Sequence, residues 1–155
     1  MNLVKLEPRP TISGSIKLQK SFQQLESLLG AIEQHAIADN TAADISKEIT
    51  AVNAISDSNS DSLLQSIKKA QTAILKLLEK EEKIVPVNHY RKLWMIMGMS
   101  TFGLPIGVAF GLSMGNMGML GIGLPIGIAV GIGVGSSLDN KAKLAGRQLA
   151  FEVKS

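Results

Sequence analysis

The chain has 155 residues, no cysteine and a formal net charge of +3, which leaves no disulfide framework, no thiolate zinc site and no cysteine nucleophile. Leu93–Leu138 is a run of 46 residues without Asp, Glu, Lys, Arg or His, and 12 of the 15 glycines fall between Gly98 and Gly135. A single soluble core has no ready use for such a run, whereas a transmembrane helix needs only about 20 apolar residues, so two spans fit.

Taken in chain order, the start Met1-Asn2-Leu3-Val4-Lys5-Leu6-Glu7-Pro8-Arg9-Pro10 lacks the apolar core of a cleaved signal peptide. Phe22, Leu25, Leu28, Leu29 and Ile32 recur at helical spacing and predict a helix over Ser15–His35. Ile45, Ile49, Val52 and Ile55 predict a second, with Asn40 or Thr41 as its cap. Leu64, Ile67, Ile74 and Leu78 predict a third over Asp61–Lys83, separated from the second by Ser58-Asn59-Ser60. Residues 1–85 are therefore expected to form a cytoplasmic helical domain for assembly and gating. Phe22 is the only aromatic residue before Tyr90, so its core is small and aliphatic, and packing between subunits would help it.

Lys69, Lys76, Lys80 and Lys83 share one face of the third helix. That face is either a receptor for an anionic ligand or a solvated surface balanced by Glu79, Glu81 and Glu82, the second reading having the greater weight. The first 92 residues carry 12 basic and 11 acidic groups, a balance that argues against a nucleic-acid partner. His35 and His89 lack metal-ligand spacing, and no catalytic or cofactor pattern emerges. No metal or cofactor is expected, and the chain does not read as an enzyme.

Residues 86–92 read as a basic linker into the membrane block of residues 93–138. The tetrapeptide Gly115-Asn116-Met117-Gly118 divides that block into arms 93–114 and 119–138, a transmembrane hairpin. Arg91 and Lys92 precede the first arm, and Lys141, Lys143 and Arg147 follow the second. The positive-inside rule then places both termini, including the tail 139–155, in the cytoplasm of a bacterial cell with the hairpin in its inner membrane. Tyr90 and Trp94 suit the headgroup level at the first crossing.

Gly103-Leu104-Pro105-Ile106-Gly107-Val108-Ala109-Phe110-Gly111 returns twenty residues later as Gly123-Leu124-Pro125-Ile126-Gly127-Ile128-Ala129-Val130-Gly131. Extended at the same spacing, this gives Gly103, Gly107, Gly111 and Gly115 in one arm and Gly123, Gly127, Gly131 and Gly135 in the other. Each set forms a groove that lets another backbone approach closely, which in a bilayer drives helix association. Pro105 near the middle of the first arm frees the carbonyl of Thr101 and predicts a hinge over Thr101–Pro105. Ser100, Thr101, Ser113 and Asn116, with Ser136 and Ser137, are the polar groups available to line a pore.

The tandem Gly-Leu-Pro-Ile-Gly units, with the tail Gly135-Ser136-Ser137-Leu138-Asp139-Asn140-Lys141-Ala142-Lys143, resemble the bacterial glycine-zipper family of small two-helix membrane proteins. The resemblance covers the last third of the chain and implies self-association in the membrane, often with channel or membrane-disrupting activity. The expected fold is all-α and oligomeric, with the bilayer, further copies of the chain and a cytoplasmic regulatory protein or anionic ligand as partners. The leading functional expectation is a channel or pore-forming effector, with a toxin-like or phage-defence role by analogy. A non-conducting scaffold and a holin-like lysis protein are the alternatives.

Overall fold

The computed structural model describes residues 3–9, 15–56 and 59–153; Ser58, assigned above to a break between helices, lies outside them. The fold is all-helical, with no strand among the described residues. Five helices are present: α1 Ile16–Glu33, α2 Asp39–Asn53, α3 Ser60–Leu77 running on into a π-helical turn Leu78–Glu82, α4 His89–Ser113, and α5 Leu120–Leu144. They fall into two compact units, one of Met1–Pro86 with Leu149–Ser155 and one of Val87–Gln148.

In the first unit both α1 and α2 pack on α3. Leu25, Leu28 and Ile32 of α1 meet Ile45, Ile49 and Val52 of α2 and Leu63, Ile67, Ala70 and Ile74 of α3 in one aliphatic core. The spacing locates α1 and α2 well. On α3 it selects Leu64, which is only partly buried, whereas Leu63 is fully buried. Both leucines satisfy a 3-to-4 period, and only the neighbouring helices decide between them. The segment 139–155, expected as a cytoplasmic tail, divides in two: 139–144 belong to α5, while Leu149 and Phe151 enter the core of the first unit. The Leu149 amide donates to the Val85 carbonyl at 2.9 Å.

The helix ends in this unit are satisfied from far away in sequence. α2 starts at Asp39 and is not capped by Asn40 or Thr41. Instead the Glu82 carboxylate accepts from the Ala38 amide at 2.9 Å and from the Thr41 hydroxyl at 2.7 Å, filling the place of a local cap at the positive end of the helix. At its other end the Arg9 guanidinium donates to the carbonyls of Val52, Asn53 and Ile55 at 3.0, 2.9 and 2.6 Å. These carbonyls lie in the last turn of α2 and just beyond it, where intrahelical partners run out; the Val52 carbonyl also accepts from the Ile55 amide at 3.2 Å. Asn53 fixes the same N-terminal strip, accepting from the Glu7 amide and donating to the Lys5 carbonyl. Among the described residues of this unit only α3 has a side-chain cap from its own N-cap residue, Asn59 accepting from the Ser62 amide.

The second unit is an antiparallel pair, α4 against α5, joined by a turn at the expected tetrapeptide. Both helices outrun the uncharged block at its charged end, α4 starting at His89 and α5 continuing to Leu144. At 25 residues each they are about 37 Å long, enough to cross a bilayer. α4 ends in a Schellman motif: Gly115 takes φ +63°, the Asn116 amide donates to the Gly111 carbonyl, and the Gly115 amide donates to the Leu112 carbonyl. The Asn116 carboxamide oxygen then accepts from the Gly118 amide at 2.9 Å and turns the chain into α5. α5 ends in the same way at Gly146, φ +67°.

Candidate functional site

In the second unit the usual order of burial is inverted. The buried residues of α4 and α5 are Gly98, Gly103, Gly107, Gly111, Gly123, Gly127, Gly131 and Gly135, with Asp139 and Ala142. The large apolar side chains, among them Ile96, Phe102, Val108, Leu112, Ile122, Ile126 and Val130, are exposed. Only 22% of the most apolar window of either helix is buried. A helix in a soluble core would show the opposite pattern, since burying Leu, Ile and Phe is what stabilises such a core.

The glycines bring two backbones into contact. A Cβ added at Gly127 would lie 2.5 Å from the Gly98 carbonyl oxygen and 2.7 Å from the Gly103 Cα. One at Gly107 would lie 2.5 Å from the Leu120 carbonyl oxygen, and one at Gly135 2.5 Å from the Arg91 Cα. Gly123 closes on Gly103 and Gly107, and Gly131 on Trp94 and Met95. The two grooves read from the sequence therefore fill each other within one hairpin. They are not faces left open for other subunits.

The runs of four glycines are not used evenly. Gly103, Gly107 and all four of Gly123, Gly127, Gly131 and Gly135 line the close interface, while Gly111 is looser, its added Cβ 3.7 Å from the nearest atoms, and Gly115 serves the turn. Gly98 belongs to the interface although it stands five residues before Gly103, out of step with the four-residue spacing. The π-helical turn Met99–Gly103, in which the Leu104 amide donates to the Met99 carbonyl, absorbs the extra residue and returns Gly98 to the same face. This turn lies over Thr101, where Pro105 predicts a hinge. Its register role is invisible to a search for fixed spacing.

The glycine stripe of α5 continues for one more step to Asp139, which is 7% exposed. Its two oxygens accept from the Tyr90 amide at 3.0 Å and the Arg91 amide at 2.9 Å, so α5 caps the N-terminus of α4. Asp139 falls at the start of the segment 139–155 expected above as the tail. The continuing spacing 123, 127, 131, 135, 139 was the available signal.

The candidate pore-lining groups lie apart from the glycine interface. Ser100, Thr101, Ser113, Asn116, Ser136 and Ser137 are all exposed. The Ser100 hydroxyl donates to the Ile96 carbonyl of its own helix at 3.1 Å, and the Asn116 side chain serves the turn. Thr101 and Ser113 fall on one side of α4 with Pro105 and Ala109, at steps of four. Gly121, Pro125, Ala129, Gly133 and Ser137 do the same on α5. Each of these sets is offset by two residues, about 200°, from its helix's glycine stripe, and no atom lies within 4 Å of a Cβ placed at Gly121 or Gly133. Each helix thus has two small-residue faces, one filled within the hairpin and one open.

In the first unit Lys69, Lys76, Lys80 and Lys83 are exposed. Lys80 pairs with Glu81 at 3.0 Å, and Lys83 takes φ +55° beyond the end of the helix. Among the described residues no group of three or more His, Cys, Asp or Glu side chains could hold a metal ion. Comparison with family models, with curated proteins and with solved structures gives no match in any of the three.

Proposed function

We propose that the chain is an integral membrane protein whose hairpin self-associates into a channel of the bacterial inner membrane, assembled and gated by the helical unit that precedes it. The observation that carries the membrane reading is the inverted burial of α4 and α5: glycines inside, large apolar side chains outside. Lipid is the solvent in which that surface costs nothing, and backbone contact replaces the missing hydrophobic drive between helices. Support for self-association comes from the second small-residue face, Thr101, Pro105, Ala109 and Ser113 on α4 with Gly121, Pro125, Ala129 and Gly133 on α5. Its hydroxyls are the polar groups best placed to meet water at a central opening, and the absence of charge there points to weak ion selectivity.

A non-conducting scaffold is the second reading, favoured by the filling of both glycine grooves inside one chain, which leaves them no need of a neighbour. Reconstitution into liposomes carrying a potential-sensitive dye separates the two. Collapse of an imposed potential that is suppressed by Ala109→Leu, with the hairpin still inserted, supports the channel. An unchanged potential with oligomers present supports the scaffold. A monomer in the bilayer removes both readings of self-association. An open channel of this kind would depolarise its host, and a toxin-like or defence role rests on that consequence.

A further inference from the structure

We infer that the charged end of the hairpin is a docking collar for anionic phospholipid headgroups, a reading that rests on the membrane embedding proposed above. Antiparallel packing brings Arg91 and Lys92 at the start of α4 to the same end as Lys141 and Lys143 in the last turn of α5. The Schellman motif at Gly146, through the Arg147 amide donating to the Ala142 carbonyl at 2.9 Å, folds Arg147 back to the same level. All five are exposed. At about 1.5 Å per residue, Arg91, Lys92, Lys141 and Lys143 lie within about 8 Å of the ends of the uncharged run. That is about the depth of one headgroup layer, half the difference between the ~30 Å hydrocarbon core and the full ~40–45 Å bilayer.

Within residues 87–148 the only acidic residue is Asp139, and it is withdrawn from the cations of this unit. It is buried, and both its oxygens are occupied by the amides of Tyr90 and Arg91. The carboxylate of this unit is spent on capping α4 and does not compensate the exposed Arg91, Lys141, Lys143 and Arg147; Lys92 makes an interaction of its own, and the collar does not depend on it. The anion present at that depth is the lipid phosphodiester. The negative end of α5 further favours Lys141 and Lys143 where they stand, without neutralising them. Each such cation attracts an acidic headgroup by about five-fold in association at low ionic strength.

The test uses the full chain reconstituted in an equal mixture of phosphatidylglycerol and phosphatidylcholine, with spin-labelled versions of each reporting the lipid held at the protein surface. Several-fold selection for phosphatidylglycerol is expected, falling with added salt and lost in the combined variant Arg91→Gln, Lys141→Gln, Lys143→Gln and Arg147→Gln. Protease protection of the hairpin is measured alongside, both in this mixture and in pure phosphatidylcholine. Protection without selectivity overturns the collar and leaves the membrane reading standing, whereas loss of protection in both lipids overturns the membrane reading itself. Free glycerol phosphate should not compete; displacement of the labelled lipid by it would overturn the assignment to a lipid surface.

Discussion

Alanine at Gly127 and alanine at Gly133, six residues apart on α5, should have opposite effects. At Gly127 the new Cβ would sit 2.5 Å from the Gly98 carbonyl oxygen and 2.6 Å from the Gly103 amide nitrogen. Ordinary contact begins at about 3.5 Å, and because the obstructing atoms are backbone, α4 must move away by about 1 Å. A gap of that size forfeits about a quarter to a half of each dispersion contact along the seam. With overpacking penalties of about 1–3 kcal/mol, partly offset by up to ~1 kcal/mol from alanine's helix propensity, the hairpin should lose about 1–2 kcal/mol.

At Gly133 the added methyl meets nothing within 4 Å in its own hairpin, so for pairing of the two arms only the propensity gain remains, up to about 1 kcal/mol. The helix-propensity gain is common to both, so the two variants differ by the overpacking penalty alone, about 1–3 kcal/mol, or about 5–150-fold in the folding equilibrium. Trp94 is the sole tryptophan, and its carbonyl meets Gly131 across the seam. Its fluorescence during titration of mixed micelles with a denaturing detergent therefore reports separation of the arms. Equal shifts of the midpoint for the two variants, or a larger loss at Gly133, would refute the intramolecular zipper.

Three further outcomes follow from the same contacts. Deleting Ser100 together with Pro105→Ala should convert the π-turn to a regular helix while keeping Gly98 and Gly103 on the seam, at a cost of about 1 kcal/mol or less, because the pair then matches the four-residue step; deleting Ile126 turns Gly123 away from Gly127 by about 100° and should abolish arm pairing in the same assay. Asp139→Ala should cost about 1–2 kcal/mol through loss of the cap on α4, with Asp139→Asn recovering part of it and hydrogen exchange of the Tyr90 and Arg91 amides accelerated in both. In the first unit Arg9→Met should cost about 1–3 kcal/mol by removing the side-chain donor from the Asn53 and Ile55 carbonyls at the end of α2. Urea-dependent loss of α2 protection at a lower concentration would be the sign, and an unchanged profile would remove the role assigned to Arg9.

Periodicity is a local property, and what it could show it showed. The uncharged run, the turn at Gly115-Asn116-Met117-Gly118 and the apolar faces of α1 and α2 are legible because each follows from residues a few positions apart. The stripe of glycines was equally legible as a face. Which surface that face would meet was not, since a groove for close approach is the same object whether a neighbour or the other arm fills it. Tertiary structure decided that the arms fill each other, that Gly98 joins them through an extra residue wound into a π-turn, and that the open small-residue faces are the ones carrying Thr101 and Ser113.

The caps show the same division between local and long-range information. Asp139 on α4, Glu82 on α2 and Arg9 at the far end of α2 each act on backbone more than forty residues away. No spacing rule reaches that far, because an orphan N–H or carbonyl accepts any suitable partner that the fold delivers. The sequence by itself determined two apolar helices with a turn between them and an aliphatic helical domain before them. The packing decided which polar residues are spent on helix ends, and so which charges are left exposed.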